Sequence, residues 1–128
     1  MVVDSSVWLE ILQDGPLRTA CQKALHKQII RVPTLVLHEV YKKLKSRATE
    51  ELALEAIASL SQYEVLDMSR EVAILAGDVC LQHSMSMADG IVLAHAEFLS
   101  DTLLTLDNDF AKISRAQVLR ISPSAGTI

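Results

Sequence analysis

Four acidic residues of this 128-residue chain stand where a solvated surface charge is not expected. Asp4 and Asp107 directly follow short apolar runs, while Glu39 and Asp89 lie on or beside the apolar faces of helix-like segments. Carboxylates that converge repel one another, and a divalent cation removes that repulsion. Because the four histidines show no zinc spacing with these acids, oxygen ligands alone would select Mg²⁺ or Mn²⁺ rather than Zn²⁺.

A metal site built only from carboxylates is typical of phosphoryl chemistry, in which the cation orients a water and screens the charge that grows on phosphate. The residue patterns that other classes of reaction require are not found in this sequence. No nucleophile stands beside a general base, and the four glycines are not grouped into a phosphate-binding or dinucleotide-binding loop. The acids therefore predict metal-dependent hydrolysis of a phosphate ester.

Asp4 and Asp107 each have a simpler explanation. Asp4 could be a helix N-cap, and either residue could be a surface turn residue. Against this, both follow segments that read as buried strands, and ligands of an open parallel sheet bind outside the carboxyl ends of its strands. Two carboxylates at two such ends are placed where a site would form.

The two helical acids also have structural alternatives. Asp89 follows Ser86 by three positions, which resembles a capping box, although capping would not explain why Asp89 shares a face with apolar residues. Glu39 could form an ion pair with Lys42 or Lys43 on its own helix.

The elements that must position these acids alternate along the chain. Strands are predicted at residues 1–3, 28–32, 62–68, 102–106 and 118–121. Helices are predicted at residues 5–13, 17–27, 35–47, 49–60, 69–83 and 86–99, with Ser69 as an N-cap. This alternation predicts βαβ units, and hence an α/β fold with a largely parallel sheet covered on both faces.

Half of the residues are apolar and only 4% are aromatic, so Leu, Ile, Val and Ala must build the core. The net charge of −4 gives no basic footprint of a simple nucleic-acid binder, but an acidic metal site would lower the net charge without excluding nucleic acid. The concentrated basic residues could contact a nucleic acid or could form a solvated helix end that suits the macrodipole. They are Lys42, Lys43, Lys45 and Arg47.

We expect one domain over residues 1–128, in which about 122–128 form a polar tail, because no linker or repeat interrupts the pattern. Cys21 and Cys80 are isolated, which favours free thiols in a reducing compartment. The sequence shows no signal peptide and no apolar stretch of about 20 residues. We therefore expect a soluble cytoplasmic domain.

Four segments together resemble the motif blocks of PIN-domain nucleases, and specifically the VapC-type toxins of toxin–antitoxin pairs. They are VVDSSVWLEIL, PTLVLHEVYKKL, MSMADGIVLAHA and LLTLDNDF, in that order, with one matching acid in each. The resemblance covers nearly the whole chain. It implies a three-layer α/β/α sandwich with a short, mostly parallel sheet, and an endoribonuclease that depends on Mg²⁺ or Mn²⁺. It also implies a homodimer and a cognate antitoxin protein that occupies the active-site groove.

The resemblance also implies site residues. By position, the four acids of the family match Asp4, Glu39, Asp89 and Asp107. A lesser role falls to Asp109, near a position where some relatives carry an acid, and to Ser6 and Thr105, which match small polar residues that hydrogen-bond around the site.

One departure concerns Gly90, which stands where relatives usually carry alanine after the third acid. A glycine inside a helix costs up to about 1 kcal/mol, so a close approach of another element to the backbone is expected there.

Three other classes of protein share part of this pattern. Ser6 stands where a haloacid-dehalogenase-type phosphatase requires its second acid, and a response-regulator receiver would need an acidic pair where this chain has Asp4 alone. The remaining alternative is a PIN-like domain that binds RNA or a protein partner without cutting.

Overall fold

The computed structural model describes residues 1–120, whose sheet has five short strands. The strands are β1 Val2–Val3, β2 Arg31–Pro33, β3 Glu64–Leu66, β4 Leu103–Thr105 and β5 Ala116–Val118. The helices are α1 Ser5–Leu12, α2 Arg18–Leu25, α3 Thr34–Arg47, α4 Glu50–Leu60, α5 Arg70–His83 and α6 Met87–Phe98, and a 3₁₀ turn covers Asn108–Phe110.

The strand order is β3-β2-β1-β4-β5, and all four pairings are parallel. The chain leaves β1 toward β2 and leaves β4 toward β5, so the winding reverses between β1 and β4. Such a switch point opens a crevice outside the carboxyl ends of the two strands. Asp4 and Asp107 follow β1 and β4 and therefore flank this crevice.

Helices cover the two faces of the sheet. Right-handed crossovers that run in opposite directions place the helices between β1 and β3 on one face and those between β3 and β4 on the other. The packing agrees, because α3 contacts α1 and α4 while α5 packs along α6. The predicted α/β/α class is confirmed, and its sheet is wholly parallel within the described residues.

The predicted elements all exist, and their boundaries differ by a few residues. β2 begins at Arg31 rather than residue 28, and β5 covers Ala116–Val118 rather than 118–121. The predicted Ser69 cap is confirmed, since its hydroxyl accepts the backbone N–H of Val72 at 3.1 Å. The predicted polar tail and the last residue of the fifth predicted strand lie outside the described residues.

The central strands form the core, as their unbroken apolar runs predicted. The side chains of Val2, Val3, Leu103 and Leu104 are completely buried. Each strand is covered on both faces, which is why neither run alternates with polar residues. No helix within residues 1–120 is both long and apolar enough to cross a lipid bilayer.

Ion pairs connect the amino ends of the strands. Arg31 at the start of β2 donates to Glu64 of β3 at 3.1 Å and to Asp101, which precedes β4, at 2.8 Å. Asp101 is mostly buried, and burial raises its pKa. Hydrogen bonds from the amino-terminal ammonium group and from Arg31 outweigh this effect, so the pKa of Asp101 lies below its usual value. The network ties three strands together at the end of the sheet opposite the acids.

Gly90 lets α5 approach the first turns of α6 closely. A Cβ at this position would lie 2.1 Å from Cys80 Sγ and 3.3 Å from the carbonyl oxygen of Ala76. Cys80 Sγ in turn donates to the carbonyl of Ser86 at 3.4 Å. The expected close approach is confirmed, and it sets the position of the helical turn that carries Asp89.

This packing predicts a coupled pair of substitutions. Gly90→Ala should lower the free energy of unfolding, because overpacking costs about 1–3 kcal/mol and improved helix propensity returns only about 1 kcal/mol. In a Cys80→Ala background the overlap with sulfur is gone, so Gly90→Ala should become neutral or stabilising. Urea unfolding of the four proteins measures this coupling, and additive effects of the two substitutions would contradict the described contact.

Candidate active site

Asp4 is a buried carboxylate held by two hydroxyl groups. Its side chain is 7% exposed, and its Oδ2 accepts hydrogen bonds from Ser6 Oγ and Thr105 Oγ1, both at 2.9 Å. Asp4 occupies the N-cap position of α1, yet its side chain makes no capping hydrogen bond. The carboxylate is therefore oriented by its hydroxyl partners rather than by the end of the helix.

The two hydroxyls also accept hydrogen bonds from the segment that follows β4. Ser6 Oγ accepts the backbone N–H of Leu106 at 3.0 Å, and Thr105 Oγ1 accepts that of Asp107 at 3.0 Å. Each hydroxyl thus donates a hydrogen bond to Asp4 and accepts one from a backbone N–H of the segment that follows β4. Asp4 and Asp107 are fixed relative to each other by this arrangement.

Three other carboxylates lie together beside the crevice. One oxygen from each of Asp89, Asp107 and Asp109 lies within 4.8 Å of the others. Asp107 also serves the turn, because its Oδ1 accepts the backbone N–H of Asp109 at 2.9 Å. The turn explanation of Asp107 is therefore correct for one of its oxygens, and it is this turn that carries Asp109 to the cluster.

Asp89 lies at the start of α6, where the N-cap interaction predicted from Ser86 is present. Ser86 Oγ accepts the backbone N–H of Asp89 at 3.3 Å. Burial raises the pKa of the Asp89 carboxyl above its usual value, and the charges of Asp107 and Asp4 raise it further, while hydrogen bonding to Ser86 lowers it. Capping is thus only part of the role of this segment, since the carboxylate faces other acids.

Glu39 approaches the same region from α3. Burial raises its pKa above the usual value, and so does the charge of Asp4, whereas hydrogen bonding to Ser5 and the charge of Lys43 act in the opposite direction. Within residues 1–120, Glu39 forms no ion pair with a lysine, so that alternative is not observed. The charges that act on Glu39 are those of Asp4 and Asp89, which raise its pKa, and that of Lys43, which lowers it.

The donor set fits a hard divalent cation. The three clustered residues offer only carboxylate oxygens, and no histidine or cysteine belongs to the cluster. Such ligands suit Mg²⁺ or Mn²⁺, whose charge would offset both the burial and the repulsion that raise the pKa of Asp89. Asp4 and Glu39 lie outside the closest group but act on it through their charges.

The structure gives greater weight to Asp109 than the sequence did, because Asp109 belongs to the closest group of oxygens. Its position two residues after Asp107, in the pattern D-N-D, is the signal for such a turn. His83, which the sequence does not single out, lines a cavity of about 330 Å³ together with Asp89 and Asp109. No spacing in the sequence indicates this, because the end of α5 meets the cluster only through tertiary packing.

The four basic residues of α3 differ in their side-chain partners. Lys45 lies 3.5 Å from a carboxylate oxygen of Glu50 and contacts the ring of Tyr41, and Arg47 donates to Gln13 at 3.3 Å. Lys42 and Lys43 instead line a groove that includes Glu39.

The mutual repulsion of the acids predicts a pH-dependent stability. The raised pKa values of Asp89 and Glu39 mean that the folded state binds protons more tightly than the unfolded state. The contribution of these two carboxyl groups to the free energy of unfolding is therefore fully present below the ordinary carboxyl pKa of about 4. It is lost as the pH rises through the raised pKa values. In EDTA at pH 7, Asp89→Asn and Glu39→Gln should each raise the melting temperature by about 2–5 °C, and the gain should shrink toward pH 4.

The exposed Glu51 provides a matched control, because its removal relieves no buried repulsion and Glu51→Gln should produce no such gain. Unchanged melting temperatures for both site variants at pH 7 would show that the acids are not under electrostatic strain.

Comparisons with known proteins were made for the whole chain. The sequence profile of the PIN domain matches residues 1–116. No curated protein matches the sequence significantly. Solved structures match over almost their full length. A toxin–antitoxin complex from Klebsiella pneumoniae is 21% identical with a TM-score of 0.80, covering 94% of this chain and 98% of the other.

Two further solved structures show the same fold. VapC20 from Mycobacterium tuberculosis, described as a sarcin-ricin loop cleaving toxin, is 19% identical with a TM-score of 0.79, covering 91% of this chain and 97% of the other. FitAcB from Neisseria gonorrhoeae is 19% identical with a TM-score of 0.70, covering 92% and 96%. The profile match spans far more than half of the sequence. The chain therefore belongs to the PIN domain family.

Proposed function

We propose that this protein is a metal-dependent endoribonuclease that hydrolyses RNA phosphodiester bonds. The observation that carries the proposal is the convergence of Asp89, Asp107 and Asp109 within 4.8 Å at the strand switch point, beside the buried carboxylate of Asp4. Membership of the PIN domain family and the fold shared with a sarcin-ricin loop cleaving toxin support the choice of RNA.

Asp4, Asp89 and Asp107 would hold Mg²⁺ or Mn²⁺ directly or through water, with Asp109 completing the oxygen set. When bound, the cation would supply charge stabilisation for the phosphate and a water of lowered pKa. Ser6 and Thr105 would keep Asp4 Oδ2 occupied by hydrogen bonds, which leaves Oδ1 directed to the cation or its water.

Glu39 has a different role in this proposal. Its pKa is raised by burial and by Asp4, so it is a better proton acceptor than an ordinary surface carboxylate. We assign it to orienting the attacking water and accepting its proton, or to binding the cation alongside the aspartates. The charge of Lys43 acts in the opposite direction and lowers the pKa of Glu39.

The proposal predicts that Asp89→Asn abolishes cleavage of RNA by the metal-loaded protein. The loss should exceed the roughly 10–100-fold effect typical of residues that only support a metal ligand, because Asn removes a charge from the closest group of oxygens. The measurement is a cleavage assay on a mixed panel of structured and unstructured RNAs, with Mg²⁺ or Mn²⁺ and with EDTA.

Thermal melting controls for the fold in that assay. The Asp89→Asn protein should melt at or above the temperature of the unaltered protein in EDTA, and millimolar Mg²⁺ should raise the melting temperature of the unaltered protein more. A folded Asp89→Asn protein that cleaves normally would overturn the assignment of Asp89. RNA binding without any metal-dependent cleavage by the unaltered protein would favour the silent PIN-like domain instead.

The proposal extends to the partners. We propose that the chain is the toxin of a toxin–antitoxin pair and acts in the cytoplasm, because three of the similar structures bear toxin–antitoxin or VapBC names. Co-purification with the product of a neighbouring small reading frame, followed by loss of nuclease activity in the complex, would support this. Full nuclease activity in the presence of that protein would argue against it as the antitoxin.

We also propose that the chain forms a homodimer. Ile74 and Leu81 lie seven residues apart on α5, and so on one face of the helix, with exposed fractions of 67% and 85%. Light scattering should give twice the 14.1 kDa mass of one chain, and Leu81→Lys should return the mass of a monomer. A monomer at all accessible concentrations would contradict the homodimer.

A further inference from the structure

His83 lines a polar cavity beside the acid cluster. The cavity has a volume of about 330 Å³, and His83 shares it with Asp89 and Asp109. Because both aspartates also belong to the closest group of carboxylate oxygens, the cavity is continuous with the proposed active site. The other residues that line it are Ser84, Met85 and Ser86.

The imidazole of His83 has no protein partner in the part of the chain that the structure describes. It forms no ion pair and no hydrogen bond with any residue of 1–120. It also lies outside the group of three carboxylates whose oxygens converge within 4.8 Å. His83 is therefore not placed as a ligand of the cation, and its ring nitrogens are available to a molecule that enters the cavity.

The backbone that carries His83 is fixed at the end of α5. Ser84 takes the left-handed conformation, with φ 54° and ψ 44°, and its N–H donates to the carbonyl of Cys80. The N–H of Met85 donates to the same carbonyl at 3.1 Å, and Cys80 Sγ donates to the carbonyl of Ser86 at 3.4 Å. The end of α5 and the start of α6 are thus held together, so the position of His83 relative to the acid cluster is set by the fold.

His83 and Glu39 approach the acids from helices on opposite faces of the sheet. Glu39 lies on α3, which packs with α1 and α4, whereas His83 ends α5, which packs along α6. The groove that Glu39 lines shares no residue with the cavity of His83. Displacement at phosphorus places the attacking and leaving oxygens roughly in line, on opposite sides of the phosphorus atom. A phosphate held at the acids would therefore have Glu39 on one side and His83 on the other.

The leaving oxygen needs a proton that the acid cluster does not supply. A ribose oxygen leaves phosphorus as an alkoxide unless a general acid protonates it, and carboxylates that bind a cation are already deprotonated. Serine hydroxyls keep their protons near neutral pH, whereas imidazole gains and loses one in that range. Among the described residues that line the cavity, His83 alone offers such a proton.

Resting on the proposed function, we infer that His83 is the general acid of RNA hydrolysis. As the oxygen of the attacking water forms its bond to phosphorus, the bond between phosphorus and the leaving ribose oxygen breaks, and His83 transfers a proton to that oxygen. The proton of the water passes to Glu39, in the first of its two proposed roles, and from there to solvent. His83 regains a proton from solvent, and the products are one hydroxyl end and one phosphate end.

A structural role for His83 is the alternative. A basic residue in the last turn of a helix suits the macrodipole, and His83 takes that position in α5. Loss of this interaction would change the stability of the fold, but it would not depend on which atom leaves phosphorus. The two roles are therefore separated by changing the leaving atom of the substrate.

Substrates with sulfur in place of the leaving oxygen test the inference. A thiolate leaves phosphorus without being protonated, so a protein that lacks its general acid should still cleave the sulfur substrate. The ends of the cleavage products first show whether the 3′ or the 5′ oxygen leaves, and the RNA then carries sulfur at that one bridging position. The unaltered protein, His83→Ala, His83→Gln and His26→Ala are assayed with Mn²⁺ at saturating RNA. His26 is the matched control, because it is an exposed histidine that lies after α2.

The two substrates should respond differently to the loss of His83. His83→Ala should lower kcat for the oxygen substrate by roughly 10²–10⁴-fold, the usual contribution of a general acid, and should leave kcat for the sulfur substrate unchanged. His83→Gln should show the same pattern, because its amide donates a hydrogen bond but transfers no proton. His26→Ala should match the unaltered protein on both substrates.

Three results would overturn the inference. They are normal cleavage of the oxygen substrate by folded His83→Ala, an equal loss for both substrates, and recovery of activity in His83→Gln, which would show hydrogen bonding without proton transfer. Melting temperatures in EDTA control for folding. If His83→Ala does not fold, the comparison of the two substrates is made with His83→Gln, whose side chain is closer in size to histidine.

The outcome is separable from that of the proposed function. If the unaltered protein cleaves neither substrate with Mn²⁺ or Mg²⁺, hydrolysis is rejected and the role of His83 falls with it. If the unaltered protein cleaves RNA and both His83 variants cleave it equally well, hydrolysis stands and the assignment of His83 is rejected.

Discussion

The site depends on the pair of hydrogen bonds that two hydroxyls donate to the buried carboxylate of Asp4. A buried charge is expensive unless it is hydrogen-bonded, and here Ser6 and Thr105 satisfy it while they also accept backbone N–H groups beyond β4. These hydrogen bonds therefore offset the cost of burying the charge of Asp4, and they also fix the distance between the two central strand ends. Asp107 takes its position from this junction, because its backbone N–H donates to Thr105 Oγ1.

The remaining acids are positioned by a local turn and by the packing of helices. Asp107 shapes its own turn and brings Asp109 into the cluster, while Asp89 lies on a helical turn fixed by the contact between Gly90 and Cys80. Glu39 arrives from α3 on the other side of the crevice. Burial raises the pKa values of Asp89 and Glu39, and the charges of neighbouring acids raise them further, so the protein keeps these carboxyl groups at some expense of stability. Such strain is common where a site is arranged for its ligand rather than for the free protein.

Much of this could be predicted from the residues. The unbroken apolar runs of β1 and β4 predicted central strands, and the acids that follow them predicted a site at one edge of the sheet. Two kinds of information were missing. The membership of Asp109 in the acid cluster depends on a turn whose geometry is set by Asp107. Lys45 and Arg47 have side-chain partners in α4 and beside α1, whereas Lys42 and Lys43 form no ion pair within the described residues, and this difference depends on packing. A helix shows which residues share a face, but only packing shows which face is already occupied.

The pairing of β1 with β4 has a consequence for the newly made chain. The hydrogen bond from Thr105 to Asp4 joins residues 101 positions apart, and Asp89 and Asp107 also come from the second half of the sequence. Contacts of such long range form late, because the entropy of closing a large loop must be overcome before they contribute. A ribosome-bound chain lacking β4 would carry Asp4, Glu39 and Asp89 but would lack Asp107 and Asp109. The proposed activity would therefore begin only after synthesis of the central sheet is complete, which gives a partner protein time to be present before any RNA can be cut.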